Sequence, residues 1–295
     1  MKNLVDEIVE LTIDADTRPA ETGVPGLLMI KGDVPQHQLA ALYQPIIGLV
    51  VQGRKILTVG GRKIDVIGPS YYLVPMHLPV KARVSGRDGR DYLSLGLALN
   101  NQAVHRLLRD LPADLVPTGS RDLAACEADE DFLYPWLRML RLMKSPHDIA
   151  ALAPVYEREI LYRVLVGSQG WYLRQLALTE SAFSKIASTV QWLRSNYMQP
   201  IVIEELARSA AMAVTTFHRQ FKSATGLSPI QFQKQLRLLE ARNLIAFEGH
   251  AVASAAYEVG YQSPSQFNRE YSRFFGAPPA RDTAVLRRIE SARAA

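Results

Sequence analysis

The chain has 295 residues and a formal net charge of +5, a length that holds two domains at about 150 residues each. Its 48% hydrophobic and 21% charged residues exclude a wholly disordered chain, and no apolar run approaches the roughly 18–20 residues that crossing a bilayer takes. Met1–Leu11 carries Asp6, Glu7 and Glu10, unlike a secretory signal, and the one cysteine, Cys126, excludes an intrachain disulfide and a cysteine-based zinc cluster. A cytoplasmic protein with no membrane partner is therefore expected.

The first strand signals run from about residue 45 to 99. Ile46–Val51 is a short apolar run. Lys55–Val59 and Lys63–Ile67 flank Gly60-Gly61-Arg62, a connection suited to a hairpin because glycine tolerates positive φ. Tyr71–Val74, Pro79–Val84 and Tyr92–Leu99 complete the set, and short strands at this spacing predict a small sandwich or barrel. Gln102–Arg109 then reads as a short helix. Asp131–Lys144 reads as a helix interrupted early by Pro135. A third helix runs from about 145 to 166, with Pro146 near its start and Gly167 at its end. Such helices either cover the open side of a small β-domain or pair with a second copy.

Helix signals dominate the rest. Ser181–Tyr197 keeps helical spacing at Ile186, Val190, Leu193 and Tyr197, with Pro200 as its stop. Ser228-Pro229 opens another helix with an N-cap residue and a proline at the first helical position. Within this region a pattern repeats at a spacing of 50: Phe217-His218-Arg219-Gln220-Phe221 with Gly226 and Pro229, and Phe267-Asn268-Arg269-Glu270-Tyr271 with Gly276 and Pro279. Each copy follows a short helix of small residues, Glu204–Ala210 or Val252–Val259. Short helix, tight turn and second helix is the helix-turn-helix pattern, whose second helix enters the DNA major groove.

Helical geometry sorts each copy into two faces. Phe217 and Phe221 lie one turn apart and face inward, as do Phe267, Tyr271 and Phe274 in the second copy. Thr215, Thr216, His218, Arg219 and Lys222 are left on the first polar side; Ser265, Gln266, Arg269 and Arg273 are left on the second. Arginine bridges two acceptors on guanine, glutamine pairs with adenine, and lysine or a hydroxyl holds phosphate. Arg219 and Arg269 are the candidates for base contacts, and Lys222 and Arg273 for phosphate. The charge distribution agrees: residues 191–295 hold 13 basic against 8 acidic residues, whereas residues 1–190 balance at 21 of each. A basic last third suits an anionic partner.

Ile203-Glu204-Glu205-Leu206-Ala207, the first Phe-x-Arg-x-Phe segment, Val259-Gly260-Tyr261, Ser265-Gln266-Phe267 and Phe274-Phe275-Gly276-Ala277-Pro278-Pro279 resemble the AraC/XylS family of bacterial transcription regulators. Gln44-Pro45, Val51-Gln52-Gly53-Arg54-Lys55, Tyr72-Leu73-Val74-Pro75 and Arg158-Glu159-Ile160-Leu161-Tyr162-Arg163 are similar to the N-terminal domain of one AraC-type subgroup. The resemblance implies an α+β protein. A cupin-like β-barrel (about 20–100) with trailing helices (about 101–178) would form an effector-sensing or dimerising domain over 1–178. A DNA-binding domain over 179–295 would then hold helix-turn-helix units at about 203–226 and 251–276, joined by the long helix 228–247. It also implies double-stranded promoter DNA as partner, possible contact with RNA polymerase, a homodimer, an activator's role and a small organic effector, an aldehyde in some members.

In the β-region Tyr71 and Tyr72 alternate across their strand, so one is expected to face in and the other out. With His77 they are the effector-binding candidates, core filling or hydrogen bonding being their alternative roles. The rival function is a cupin-type metal-dependent enzyme tethered to nucleic acid. Metal-dependent barrels gather two or three histidines and a carboxylate. Here only His77 lies in the β-region, with His37 before it and no His-x-His pair, so no metal, cofactor or catalytic residue is expected. Cys126 sits among acids, which disfavour a reactive thiolate.

Overall fold

The computed structural model describes residues 1–12, 20–32, 40–112 and 123–294; His37 lies outside them. Helix α1 (Lys2–Leu11) precedes strands β1 (Ala20–Glu21), β2 (Leu27–Lys31), β3 (Ala41–Tyr43), β4 (Ile46–Gln52), β5 (Arg54–Val59), β6 (Arg62–Ile67), β7 (Ser70–Val74), β8 (Leu78–Ser85) and β9 (Leu93–Ala98). Helix α2 (Asn101–Asp110), strand β10 (Cys126–Glu127) and helices α3 (Glu130–Arg141), α4 (Ile149–Val166) and α5 (Gly170–Ala177) follow. The strands form a six-stranded sheet, ordered β1-β2-β9-β4-β7-β10, and a four-stranded sheet, ordered β3-β8-β5-β6. All their pairings are antiparallel. The cupin-like region is thus two separate sheets rather than a closed barrel.

Alternation explains the four-stranded sheet. Lys55, Leu57 and Val59 of β5 point into the core, while Arg54 on the other side forks onto Asp65 with bonds of 2.8 and 2.6 Å. The β5–β6 hairpin turns on Gly60 and Gly61, both at positive φ (54° and 87°), as a two-residue turn matched to strand twist requires. In β4, by contrast, five consecutive residues are buried, because both faces of the large sheet are covered. One side meets the smaller sheet. On the other, the Tyr71 ring of β7 stacks on Phe132 of α3 at 4.1 Å. The expectation that Tyr71 or Tyr72 faces outward is corrected accordingly: they point to opposite sides, yet are only 5% and 3% exposed.

The trailing helices cover the sheet, and Trp136, Leu140, Ile160 and Val164 join its core. Asp129 caps α3 by accepting from the Phe132 amide at 2.8 Å. That helix runs on through Pro135 instead of breaking there, forgoing only the bond the proline nitrogen would have made to the preceding turn.

The remaining helices are α6 (Ala182–Ser195), α7 (Ile203–Ser209), α8 (Val214–Thr225), α9 (Pro229–Ala246), α10 (Val252–Glu258), α11 (Pro264–Phe275) and α12 (Pro279–Ala294). Helix α6 closes at Ser195, well before Pro200, with Asn196 bonding back to the Trp192 carbonyl through its backbone and side chain. Helix α9 opens with a capping box in which Ser228 and Gln231 satisfy each other's backbone amides, as Ser228-Pro229 foretold. Among the described residues no helix is long and apolar enough to cross a membrane.

Candidate nucleic-acid interface and regulatory cavity

Helices α7 and α8 form one helix-turn-helix unit and α10 and α11 the other. Each turn closes in the same way, with Met212 N–H to the Ala207 carbonyl and Tyr261 N–H to the Ala256 carbonyl, both at 2.9 Å. Each holds one left-handed residue, Ala211 (φ 53°) in the first and Gly260 (φ 89°) in the second. The first helices are offset by 49 residues and the second helices by 50, so the second connection is one residue longer. Gly226 and Gly276, in left-handed conformation, end α8 and α11, the geometry a helix stop favours.

Aromatic rings seat both second helices. Phe217, Phe221, Phe267 and Tyr271 are fully buried. Phe221 packs edge-on against Phe232 of α9 at 5.6 Å, and Phe267 against Tyr261 at 5.3 Å. Phe274 packs at the edge of the cluster that holds Phe267 and Tyr271, as its inward position predicts. It is only partly buried and lies under the Lys81 ammonium of β8, 3.9 Å from the ring centre.

The polar candidates are left at the surface. Thr215, His218, Arg219, Lys222, Ser265, Gln266, Arg269 and Arg273 are exposed and Thr216 is half-buried. Arg219, Lys222, Arg269 and Arg273 make no ion pair with any described residue. Gln266 is engaged within its own helix, donating to Glu270 at 3.1 Å. Glu270 also receives Lys234 at 2.7 Å and the Tyr261 hydroxyl at 2.9 Å. Burial works to raise its pKa, but these three donors prevail and hold the carboxyl below its ordinary value, so the one acid on this helix is compensated from within. An alanine at the Ala211 position and a glutamine sharing its donor with Glu270 were not legible from spacing.

Beneath the second unit lies a buried pair. Arg242 of α9 donates to both oxygens of Asp282 at 2.9 and 3.2 Å, with side chains 4% and 5% exposed. The Tyr271 hydroxyl donates to the same carboxylate at 2.8 Å. Arg242 also reaches the Ala40 carbonyl at 3.3 Å, next to β3. Two more contacts join the β-region to the helix-turn-helix region. Lys81 donates to the Phe274 carbonyl. Gly60 presses on Gly226 so closely that a Cβ at Gly60 would stand 2.6 Å from the Gly226 backbone.

Between the sheets and α6 lies a cavity of about 380 Å³, lined by Tyr43, Gln44, Lys55, Tyr72, His77, Ser94 and Arg194 among apolar side chains. Gly48 makes room for Tyr72, since a Cβ there would fall 2.2 Å from its ring. Lys55 donates to the Tyr72 hydroxyl at 2.7 Å. Arg194 of α6 donates to His77 Nε2 at 3.1 Å. Burial, helped by the Arg194 charge, lowers the His77 pKa, and burial drives the Tyr72 pKa well above its usual value. The structure thus brings Tyr72 and His77 to one cavity and leaves Tyr71 on the opposite face of its strand. Lys55, unremarked as a site residue in the sequence reading, is the buried charge there.

Cys126 pairs in β10 with Tyr71 of β7, its thiol 3.1 Å from the Ser168 hydroxyl. Among the described residues no three His, Cys, Asp or Glu side chains gather as a metal site.

A family model described as the AraC-type transcriptional regulator N-terminus matches residues 23–172, and one described as a helix-turn-helix domain matches 206–283. The HTH-type transcriptional activator RhaS of Salmonella schwarzengrund (strain CVM19633) is 30% identical over 145 residues, 48% of this chain and 51% of RhaS. RhaS of Salmonella agona (strain SL483) matches to the same extent. The chain spans about half the length of the curated relatives it matches. Among solved structures, ToxT from Vibrio cholerae strain SCE256 with an unsaturated fatty acid bound aligns with TM-score 0.56 and 12% identity over 88% of this chain and 95% of that one. ToxT from Vibrio cholerae O395, bound to (E)-4-(8-methylnaphthalen-1-yl)but-3-enoic acid, gives 0.59 and 11% over 88% and 99%. At these identities the likeness shows a common fold. The RhaS relatives are HTH-type transcriptional activators, not enzymes.

Proposed function

The chain belongs to the AraC-type transcriptional regulators, and on that premise we propose that it grips promoter DNA through α8 and α11. Residues 179–295 are the DNA-binding domain in this reading, and residues 1–178 the domain that answers to an effector. The observation that carries the proposal is the pair of matched helices, each seated on sealed aromatic rings and each presenting an unpaired arginine, Arg219 and Arg269, to solvent. Placed in successive major-groove segments, the two would make contacts about 34 Å apart along one face of the duplex. Thr215, Thr216, His218, Ser265 and Gln266 would lie beside the arginines, with Lys222 and Arg273 on phosphates.

The cavity beside Tyr72 and His77 is the proposed site of a small organic effector, the class that the subgroup resemblance implies, with aldehydes among those of some members. Arg194 makes α6 part of its wall, so an occupant would touch both halves of the chain. It shifts DNA binding only in so far as it prefers one arrangement of the halves over another. Activation through contact with RNA polymerase, by likeness to RhaS, homodimer formation and a cytoplasmic location complete the proposal.

Footprinting on the DNA around the protein's own gene tests it, with a protected site spanning two adjacent turns expected. On that site Arg269→Ala should cost about 1–3 kcal/mol and relax discrimination. Lys222→Ala should weaken cognate and scrambled DNA alike and flatten the salt dependence. Equal losses on both DNAs for Arg269→Ala would remove its base-reading role.

A further inference from the structure

A buried ammonium in an apolar cavity needs a negative partner or a strong reason to do without one. Lys55 is 2% exposed. Its surroundings are phenols: the Tyr72 hydroxyl at 2.7 Å, and the rings of Tyr72 and Tyr43 with centres at 5.0 and 5.5 Å. No carboxylate among the described residues pairs with Lys55, and none pairs with Arg194, the second cation of the same cavity. Burial opposes the lysine's charge, but the phenolic oxygens of Tyr43 and Tyr92 outweigh it and leave the pKa above its ordinary value. The 2.7 Å bond to the Tyr72 hydroxyl and the two facing rings suit an ammonium. That disfavours capture of an aldehyde as an imine, which requires the neutral amine.

An ammonium has three donors, and the Tyr72 hydroxyl, having accepted one of them, still has its own proton to donate. The acceptors around the ammonium are phenols, Tyr72 at 2.7 Å with Tyr43 and Tyr92 beside it, and what the cavity lacks among the described residues is an anion. Leu28, Ile46 and Leu95 give the rest of the wall an apolar stretch, and Gln44 and Ser94 are its further polar members. At roughly 30 Å³ for a water-sized group in a liquid, the volume of about 380 Å³ holds a molecule of about a dozen non-hydrogen atoms.

Resting on the reading of this cavity as the effector site, we propose that it takes a compact monocarboxylic acid, with the carboxylate on Lys55 and the Tyr72 hydroxyl and the tail against Leu28, Ile46 and Leu95. Arg194, tied to His77, closes the cavity from α6.

The test uses the full chain and three probes of matched tail, decanoate, decanal and decan-1-ol, below their micellar range, with binding by calorimetry and melting temperature as readouts. Decanoate is expected to bind at least tenfold more tightly than the other two. Lys55→Met is expected to lose that preference for the acid while the alcohol and the aldehyde bind as before, a split that a purely structural lysine would not produce. Tyr72→Phe preserves the ring's packing and should weaken decanoate alone. Ala41→Phe, from the edge strand, should block all three. If the alcohol or the aldehyde matches the acid, or the preference survives Lys55→Met, the acid is overturned while the cavity stands. If no probe binds, or Ala41→Phe blocks none, the cavity falls as the effector site and the acid with it.

Discussion

Replacing Arg242 by leucine isolates the tie between the second recognition helix and the rest of the molecule. The guanidinium makes two bonds to Asp282, lies 4.5 Å over the Phe275 ring and reaches the Ala40 carbonyl. Its loss leaves Asp282 5% exposed, with the Tyr271 hydroxyl as its remaining partner at 2.8 Å. Breaking a buried pair from one side costs about 3–5 kcal/mol, because the surviving charge is stranded. Removing both charges in Arg242→Leu/Asp282→Leu relieves that penalty and leaves the Tyr271 hydroxyl unsatisfied, about 1–3 kcal/mol. The double variant should therefore be more stable than Arg242→Leu alone. Because the two halves need not unfold together, the assay is denaturant titration read by amide exchange of α11 and α12. A loss below about 1 kcal/mol for Arg242→Leu, or a double variant no better than the single, would refute the view that the pair holds α11 in place. The prediction also bears on regulation. Ala40 adjoins β3, whose Ala41, Leu42 and Tyr43 line the cavity, so Arg242 bonds directly to the chain that forms its wall.

The parts of the molecule most visible in sequence are those where local pattern and packing coincide. Phe217, Phe221, Phe267 and Tyr271 could be read as inward because each α-helix has one buried stripe, and Gly226 and Gly276 as stops because each must be left-handed. Phe274 keeps to that rule only in part: it packs against the cluster of Phe267 and Tyr271, yet its ring also meets Lys81 of β8, far away in the chain, which the helical angle does not foretell. The same limit explains Tyr71 and Tyr72. Alternation correctly sends them to opposite sides, yet says nothing of α3, which covers the side that would otherwise be solvent. Strands β2 and β3 lie before the region read strand by strand; β3 has three residues and no buried one, and hence no period to detect. Lys55 carried a usable signal. It alternates with Leu57 and Val59, and a lysine in register with an inward face is a buried charge awaiting an explanation.

Ala211 holds a left-handed conformation that costs a side-chain-bearing residue about 1–2 kcal/mol, partly offset by glycine's greater unfolded-state entropy. Ala211→Gly should therefore stabilise the first helix-turn-helix unit by up to about 1 kcal/mol in chemical denaturation, and a loss of stability would show that the methyl group packs. Gly60→Val forces a side chain into the Gly226 backbone and should separate the β5–β6 hairpin from α8, seen as faster amide exchange at residues 222–227; unchanged exchange would mean that this contact constrains nothing. The acid limb of stability should depend on Glu270. Its carboxyl pKa is depressed in the folded chain, so its contribution is fully present above the unfolded-state value near 4.3 and is lost as pH falls through the folded value. Glu270→Gln cannot titrate and keeps an oxygen for Lys234 and Tyr261. It should lower stability at neutral pH, flatten the decline below pH 4.3 and leave the two proteins closest in acid. A variant curve parallel to the parent across that range would place the acid sensitivity elsewhere and leave Glu270 without the compensating role assigned to it on α11.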